Sequence, residues 1–475
     1  MNLSRRDHAD SLWRADRRAL TLGLVLTITL VGFEALAVST VMPIAARELG
    51  GIELYGWVFS AFFLGSLIGI VVVGGAIDRG GLALPFAVGL GLFAIGLLSG
   101  GLAPAMLVLV IARFVQGLGA GTIQPIAYVA IGRTLPEGLR PRMFATLSTA
   151  WVLPGLIGPA IAGSVGETFG WRYVFLGLLP LIALAGALTL GALRAVAPAP
   201  AMTDPETARA RRARLPLAIM VSLGAGLFLV GLTSDQALLT VPLTAAGLLI
   251  GLWALRRLTP AGTLAARPVL PAAVLLRGIL TCAFFGIDAF VALTLVGWRG
   301  LSATEAGIAL TAATVAWTAG AWIQARGARR WPTHSFVRVG FAVTIAGLAG
   351  MLLVLRPELP WAIGVVAFGV AGLGMGLAYS PLALIVLREA PADRQGASTS
   401  ALSLTDSLGT ALGTGITGAF VAASVRMTGQ PVDGLAVGFM VAVAIGLGGL
   451  LLTGRLRPRD VPASVMALSP ASPPS

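Results

Sequence analysis

The chain has 475 residues, of which 57% are hydrophobic and only 11% charged, so it is too apolar for a soluble globule and reads as a protein that crosses a bilayer many times. Its net charge is +13 and all 33 basic residues are arginine; without lysine, neither a Walker-type phosphate loop nor a lysine Schiff base can be built. His8, His334 and the single Cys282 are far apart in sequence, which supports neither a metal site nor a disulfide framework, and no cofactor is expected.

In chain order, residues 1–19 form an arginine-bearing segment without a cleavable signal pattern. Apolar runs long enough to span a membrane follow at 20–42, 56–77, 82–102, 105–131, 143–165 and 173–194, giving a first six-helix unit over 20–195. A Pro-, Ala- and Arg-rich linker (196–215) leads to two shorter runs, 216–233 and 237–255, within 216–256. After a loop at 257–272 come runs at 273–297, 304–325, 336–355, 360–386, 397–424 and 433–454, a second six-helix unit over 273–455, and residues 456–475 read as a disordered tail. The expected fold is therefore all-α: two six-helix bundles plus two additional helices, fourteen spans in all.

Threading these spans alternately places most arginines on one side, while the opposite loops hold Arg172, Arg299, Arg356 and Arg426. This is the positive-inside pattern, so both termini are expected in the cytoplasm and the chain in the cytoplasmic membrane. Scattered this way, the arginines orient the chain in lipid and form no patch for nucleic acid. The short outer loops leave no ectodomain. The two units echo each other weakly: "GGAIDRGG" (74–81) and "GAWIQARG" (320–327) each follow the second span of their unit, as in a transporter built from repeats.

Ionisable residues inside spans cost about 2.5–3.5 kcal/mol each and are functional candidates by default. Glu34 in span 1 and Asp288 in span 9 lie at similar depth, roughly 20 Å from the cytoplasmic edge. Arg113 in span 4 lies close to the level of Glu34, so a pair or a switched contact is possible. Asp406 in span 13 lies nearer the cytoplasm. Each could simply pin helices together, but an acid in hydrocarbon without a fixed partner can also load and release a proton. Phe33, Trp57, Gln116, Phe284, Phe285 and Phe290 lie near this level or in the motifs around it and are expected to line a greasy cavity.

Four motifs, in this order and spacing, resemble the major facilitator superfamily, specifically its fourteen-span drug:proton antiporter branch, over about residues 20–455. "FEALAVSTVMP" (33–43) resembles the span 1 motif, with Glu34 at the acid. "GGAIDRGG" resembles the loop between spans 2 and 3, with Gly74, Asp78, Arg79 and Gly81. "RFVQGLGAG" (113–121) resembles the span 4 motif, and "PGLIGPAIAG" (154–163) the span 5 antiporter motif through Gly158, Pro159 and Gly163. Leu82, Ala83, Pro154 and Ala162 depart from it. The resemblance implies that Asp78 docks on the start of span 13 near Ser398, that span 5 forms a smooth face where the halves rock, and that Asp406 replaces a residue commonly basic.

Together these imply a transporter, not an enzyme, that exports a lipophilic, possibly cationic small molecule in exchange for protons by alternating access, working as a monomer in the lipid bilayer. Export of a specific endogenous metabolite or lipid, or uncoupled facilitation, fits the same scaffold.

Overall fold

The computed structural model describes residues 12–14, 17–77, 81–136, 139–196, 205–391 and 394–457. Thirteen helices among them are long and apolar enough to cross a membrane, and no strand occurs among the described residues. The one other expected span, span 5 at 143–165, is broken into Arg140–Thr149 and Val152–Thr168, the second piece only 17 residues long. The break precedes Pro154, which lacks an N–H and is tolerated in the first turn of the restarted helix but not inside a continuous one. Span 1 is longer than expected: its helix runs through Pro43 to Leu49, as membrane helices allow when neighbouring groups take up the freed carbonyl. Span 9 covers Leu270–Ala292 and ends in a π-helical turn, Leu293–Trp298.

Lipid offers no hydrophobic drive between helices, so close packing depends on small residues that let backbones touch. Span 4 shows how this works. A side chain on Gly117 or Gly121 would overlap the carbonyl oxygens of Phe62 or Ser66 in span 2, and Gly119 lies against the backbone of Gly89 and Phe93 in span 3. The same arrangement recurs in the second unit, where Gly372 and Gly376 of span 12 lie against the carbonyls of Ala313 and Trp317 in span 10. The two sites share a sequence pattern, "GLGAG" (117–121) and "GLGMG" (372–376). This echo is stronger than the loop echo seen first, and it puts Arg113 of span 4 in register with Phe368 of span 12.

The two sets of six spans meet along two seams. Spans 2 and 13 approach at Gly56 and Gly418, where a Cβ on Gly56 would sit 2.6 Å from Gly418 Cα, and Ser60 Oγ lies 2.9 Å from both the Ala411 carbonyl and the Thr414 hydroxyl. Spans 5 and 10 approach at Gly163, whose Cβ would meet the Thr304 backbone nitrogen at 2.8 Å. At the same level Glu167 accepts from the backbone N–H groups of Ala303 (2.5 Å) and Thr304 (3.2 Å) and from the Thr304 hydroxyl (3.0 Å). A carboxylate at the end of span 5 thus caps the first turn of span 10, where helix N–H groups lack partners and the dipole favours negative charge. These contacts sit at the arginine-poor end, away from Arg133, Arg326 and Arg388 in the last turns of spans 4, 10 and 12.

Removing that cap should loosen this end. Glu167→Ala is expected to cost about 1 kcal/mol of the closed arrangement, and spin labels on the facing ends of spans 5 and 10 should show a larger long-distance population than in wild type. An unchanged distance distribution would mean the cap does not hold the seam.

Candidate functional site

Span 1 carries Glu34 and span 4 carries Arg113 into the same dry interior, with residue exposures of 0% and 2%. They form an ion pair through Arg113 Nη1 and Glu34 Oε1. The rest of the guanidinium is held by its surroundings: Nε donates to the Val58 carbonyl at 3.3 Å, Nη1 also donates to Gln116 Oε1 at 2.7 Å, and the group lies 4.3 Å above the Phe62 ring. The glycines one turn further along span 4 bring these span 2 groups within reach. Glu34 Oε2 and Gln116 Nε2 are buried and have no hydrogen-bond partner. The pair is therefore fixed on its arginine side and unfinished on its carboxylate side, which leaves one oxygen able to take a proton or a ligand donor.

Asp288 lies at the corresponding depth in span 9 and is treated differently. It is half-buried, with neither ion pair nor hydrogen bond among the described residues. The register of the glycine repeat explains this. Where the first unit has Arg113, the second has Phe368, which stacks on Phe284 at 5.3 Å. An aromatic pair replaces the ion pair and leaves Asp288 with no arginine to answer it. Phe284 and Phe285 pack on Trp317 at 5.6 and 6.5 Å, and Trp317 continues to Tyr379 at 5.2 Å, so an aromatic wall runs through spans 9, 10 and 12.

Asp406 sits in a third arrangement, and its main partner was not among the expected residues. Arg277 of span 9, with Nε 2.8 Å from Asp406 Oδ1, donates through Nη1 to the Tyr379 carbonyl at 2.5 Å, and the Tyr379 hydroxyl lies 3.1 Å from Asp406 Oδ2. The guanidinium also lies 3.0 Å from the Tyr379 ring centroid. Arg277 stands four residues inside the apolar run that begins at 273, close enough to its end to be taken for a flanking charge. Its position within the run was the available signal.

The remaining expected residues divide. Gly163 and Pro159 face span 10, Pro159 against Gly307, whereas Gly158 faces Phe33 of span 1 at 3.5 Å and so lies within its own unit. Gly74 is half-buried and Gly81 exposed, each beside open space. Asp78 and Arg79 lie outside the described residues, and with them the expected contact to Ser398. Three of the six expected cavity residues are buried in this conformation. Gln116, Phe284 and Phe290 are enclosed in packing, because Gln116 is bonded to Arg113, Phe284 to its aromatic neighbours, and Phe290 meets Tyr55 across the spans 2–9 contact at 5.4 Å. Trp57 is half-buried against the cluster shared by spans 2, 7, 8 and 13. Phe33 and Phe285 keep partial exposure.

At the opposite end of span 1, Glu48 holds the chain around "GWRYVF". It pairs with Arg172 and accepts from Trp171 Nε1 at 2.8 Å, while Arg172 also donates to the Ala103 carbonyl at 2.9 Å. The motif thus ties spans 1, 3 and 6 together, with Gly170 at φ +103°, a conformation that favours glycine.

Thirteen long apolar helices and one broken span, twelve of these fourteen forming two glycine-packed sets of six with acids in their interiors, define a multi-span membrane transporter. The sequence profile of the Major Facilitator Superfamily matches residues 24–414, and the chain belongs to that family, whose members are transporters and not enzymes. Among its relatives are the multidrug resistance protein Stp of Mycobacterium tuberculosis, 26% identical over 86% of this chain and 76% of that one, and a probable multidrug-efflux transporter of the same organism, 26% identical over 91% and 94%. The multidrug efflux pump SdrM of Staphylococcus aureus is 23% identical over 84% and 88%. Solved structures share the fold: a bacterial homologue of the human lysosomal transporter Spinster (TM-score 0.66, 17% identity, 93% and 98% covered) and a D-xylose–proton symporter (0.65, 14%, 93% and 98%).

The pairing of Arg277 predicts a stability result. Arg277→Met leaves Asp406 and the Tyr379 carbonyl without their donor and should destabilise the protein by roughly 3 kcal/mol, whereas adding Asp406→Leu should recover much of the loss. Thermal unfolding in detergent tests this, and equal losses in the single and double variants would show that the pair is not coupled.

Proposed function

We propose that the protein is a proton-coupled exporter of lipophilic, chiefly cationic, small molecules from the cytoplasm. The observation that carries this reading is the unfinished Glu34–Arg113 pair, a carboxylate sealed from lipid and water with one oxygen unbonded. A proton on Glu34 removes the attraction to Arg113, and a proton and a substrate cation compete for the same negative charge. Such competition is the minimum requirement for exchange. The names of the multidrug relatives support the substrate class, and the ring of Phe285, one turn from Asp288 on span 9 and packed on Trp317, supports lipophilic cations, since aromatic faces attract cations in a dry site.

Orientation follows from the arginines, whose rich end is assigned to the cytoplasm of a cell membrane. The contacts at Gly56–Gly418 and Glu167–Thr304 then hold the outer end of this conformation together. Outward opening requires both contacts to part. No second chain is required by the seams, and the unit of transport is taken as a monomer.

Purified protein in liposomes provides the test. With an imposed proton gradient, wild type should accumulate a lipophilic cation, and Glu34→Gln should abolish accumulation while still binding substrate. Asp288→Asn should weaken transport of cations about tenfold, the loss of one charge-assisted contact, and leave neutral drugs largely unaffected. Gradient-driven accumulation that survives Glu34→Gln would contradict proton coupling at this acid, and transport indifferent to any gradient would favour an uncoupled facilitator.

A further inference from the structure

Spans 7 and 8 belong to neither six-helix set, and their placement gives them a role. Span 7, Pro205–Thr233, lies across the seam between spans 2 and 13, touching both, and span 8 packs on span 7. One apolar cluster joins Leu64 and Leu67 of span 2, Val221 and Ala225 of span 7, and Leu404 and Leu408 of span 13. Along span 7 the contacts divide between the two helices. Ser222 Oγ, buried, donates to the Leu64 carbonyl at 3.0 Å, a Cβ on Gly226 would meet Leu64 Cδ1 at 3.9 Å, and Leu229 fills the space above Gly415 of span 13.

Outward opening separates Gly56 from Gly418 and Ser60 from Thr414, which lie on the two helices that span 7 bridges. Span 7 cannot keep both sets of contacts. In lipid an apolar contact between helices carries no hydrophobic advantage, whereas a buried hydrogen bond still holds two helices together. The polar tie is to span 2. The link to the other side, Arg426 to Asp235 at 2.6 Å, has its aspartate side chain 68% exposed, and exposed pairs contribute little.

We propose that spans 7 and 8 move with the first six-helix unit as a cover, anchored on span 2 and sliding over span 13, that keeps lipid out of this seam while the units rock. The proposal rests on the alternating-access reading above. The glycine at position 415 gives Leu229 a flat track on span 13. Among the described residues the seam between spans 5 and 10 has no such cover, since span 5 packs on spans 1, 6 and 10.

Two cysteine pairs in a Cys282→Ser background test the proposal. Joining Leu64→Cys to Gly226→Cys with a short thiol cross-linker fixes the cover to span 2 and should leave transport within about twofold of the same protein uncross-linked. Joining Leu229→Cys to Gly415→Cys fixes it to span 13 and should reduce transport more than about tenfold, reversibly on cleavage of the linker. The opposite pattern, or the same effect from both pairs, would overturn the proposal. If the uncross-linked background shows no transport, the failure belongs to the functional reading, and a second measurement decides the cover independently. In single-tryptophan variants, Trp57 beneath the cover should be quenched by brominated phospholipid much less than the exposed Trp322; equal quenching would show that lipid reaches the seam.

Discussion

A carboxylate and a guanidinium buried together inside a membrane protein must answer each other, because an unpaired charge there is costly. Glu34 and Arg113 are in that position, and much of the first six-span unit is arranged around them. Their burial requires spans 2 and 4 to approach backbone to backbone, so that the Val58 carbonyl and the Phe62 ring reach the guanidinium. That approach is possible because Gly117 and Gly121 present no side chains toward span 2. Breaking such a pair by removing one partner is strongly destabilising, while neutralising the acid with a proton leaves the arginine its other acceptors. The geometry therefore tolerates a change of protonation better than a change of residue.

The second unit repeats the helix packing and discards the charge pattern. Phe368 stacks on Phe284 at the level where Arg113 meets Glu34, and Asp288 is left unanswered one turn from Phe285 on span 9. Lower down, Arg277, Asp406 and Tyr379 satisfy one another so fully that they resemble a pin more than a switch. On the proposed reading, one unit holds the proton-sensitive pair and the other offers an open acid and ring faces to the substrate. The seams at Gly56–Gly418 and Gly163–Thr304 then convert changes at either acid into movement, since both are held by contacts weak enough to part.

Much of this was legible in the sequence because a bilayer makes unusually simple demands. Span positions follow from apolar length, and the depth of Glu34 and Arg113 follows from counting residues along two helices that run in opposite directions. What escaped depended on packing. Arg277 was indistinguishable from an end charge until span 13 brought Asp406 beside it. The break before Pro154 was hidden because a proline inside a run can equally kink a helix or begin one. Glu167 lies just past the apolar run 143–165, and nothing in span 5 announces that span 10 starts against it. Phe290, Phe284 and Gln116 sit at the right depth for a cavity but on the wrong helix faces, which depth alone cannot distinguish. The role of spans 7 and 8 was out of reach for the same reason, because a helix that is apolar all round does not reveal which neighbours it joins.

The central claim is that substrate and proton compete through Glu34. It is tested most directly by titrating purified protein with a lipophilic cation in weakly buffered detergent solution and following the pH. Competition predicts that wild type releases protons as the cation binds and that Glu34→Gln binds the cation while releasing fewer. Equal release from both proteins would place the exchanging proton elsewhere and contradict the account.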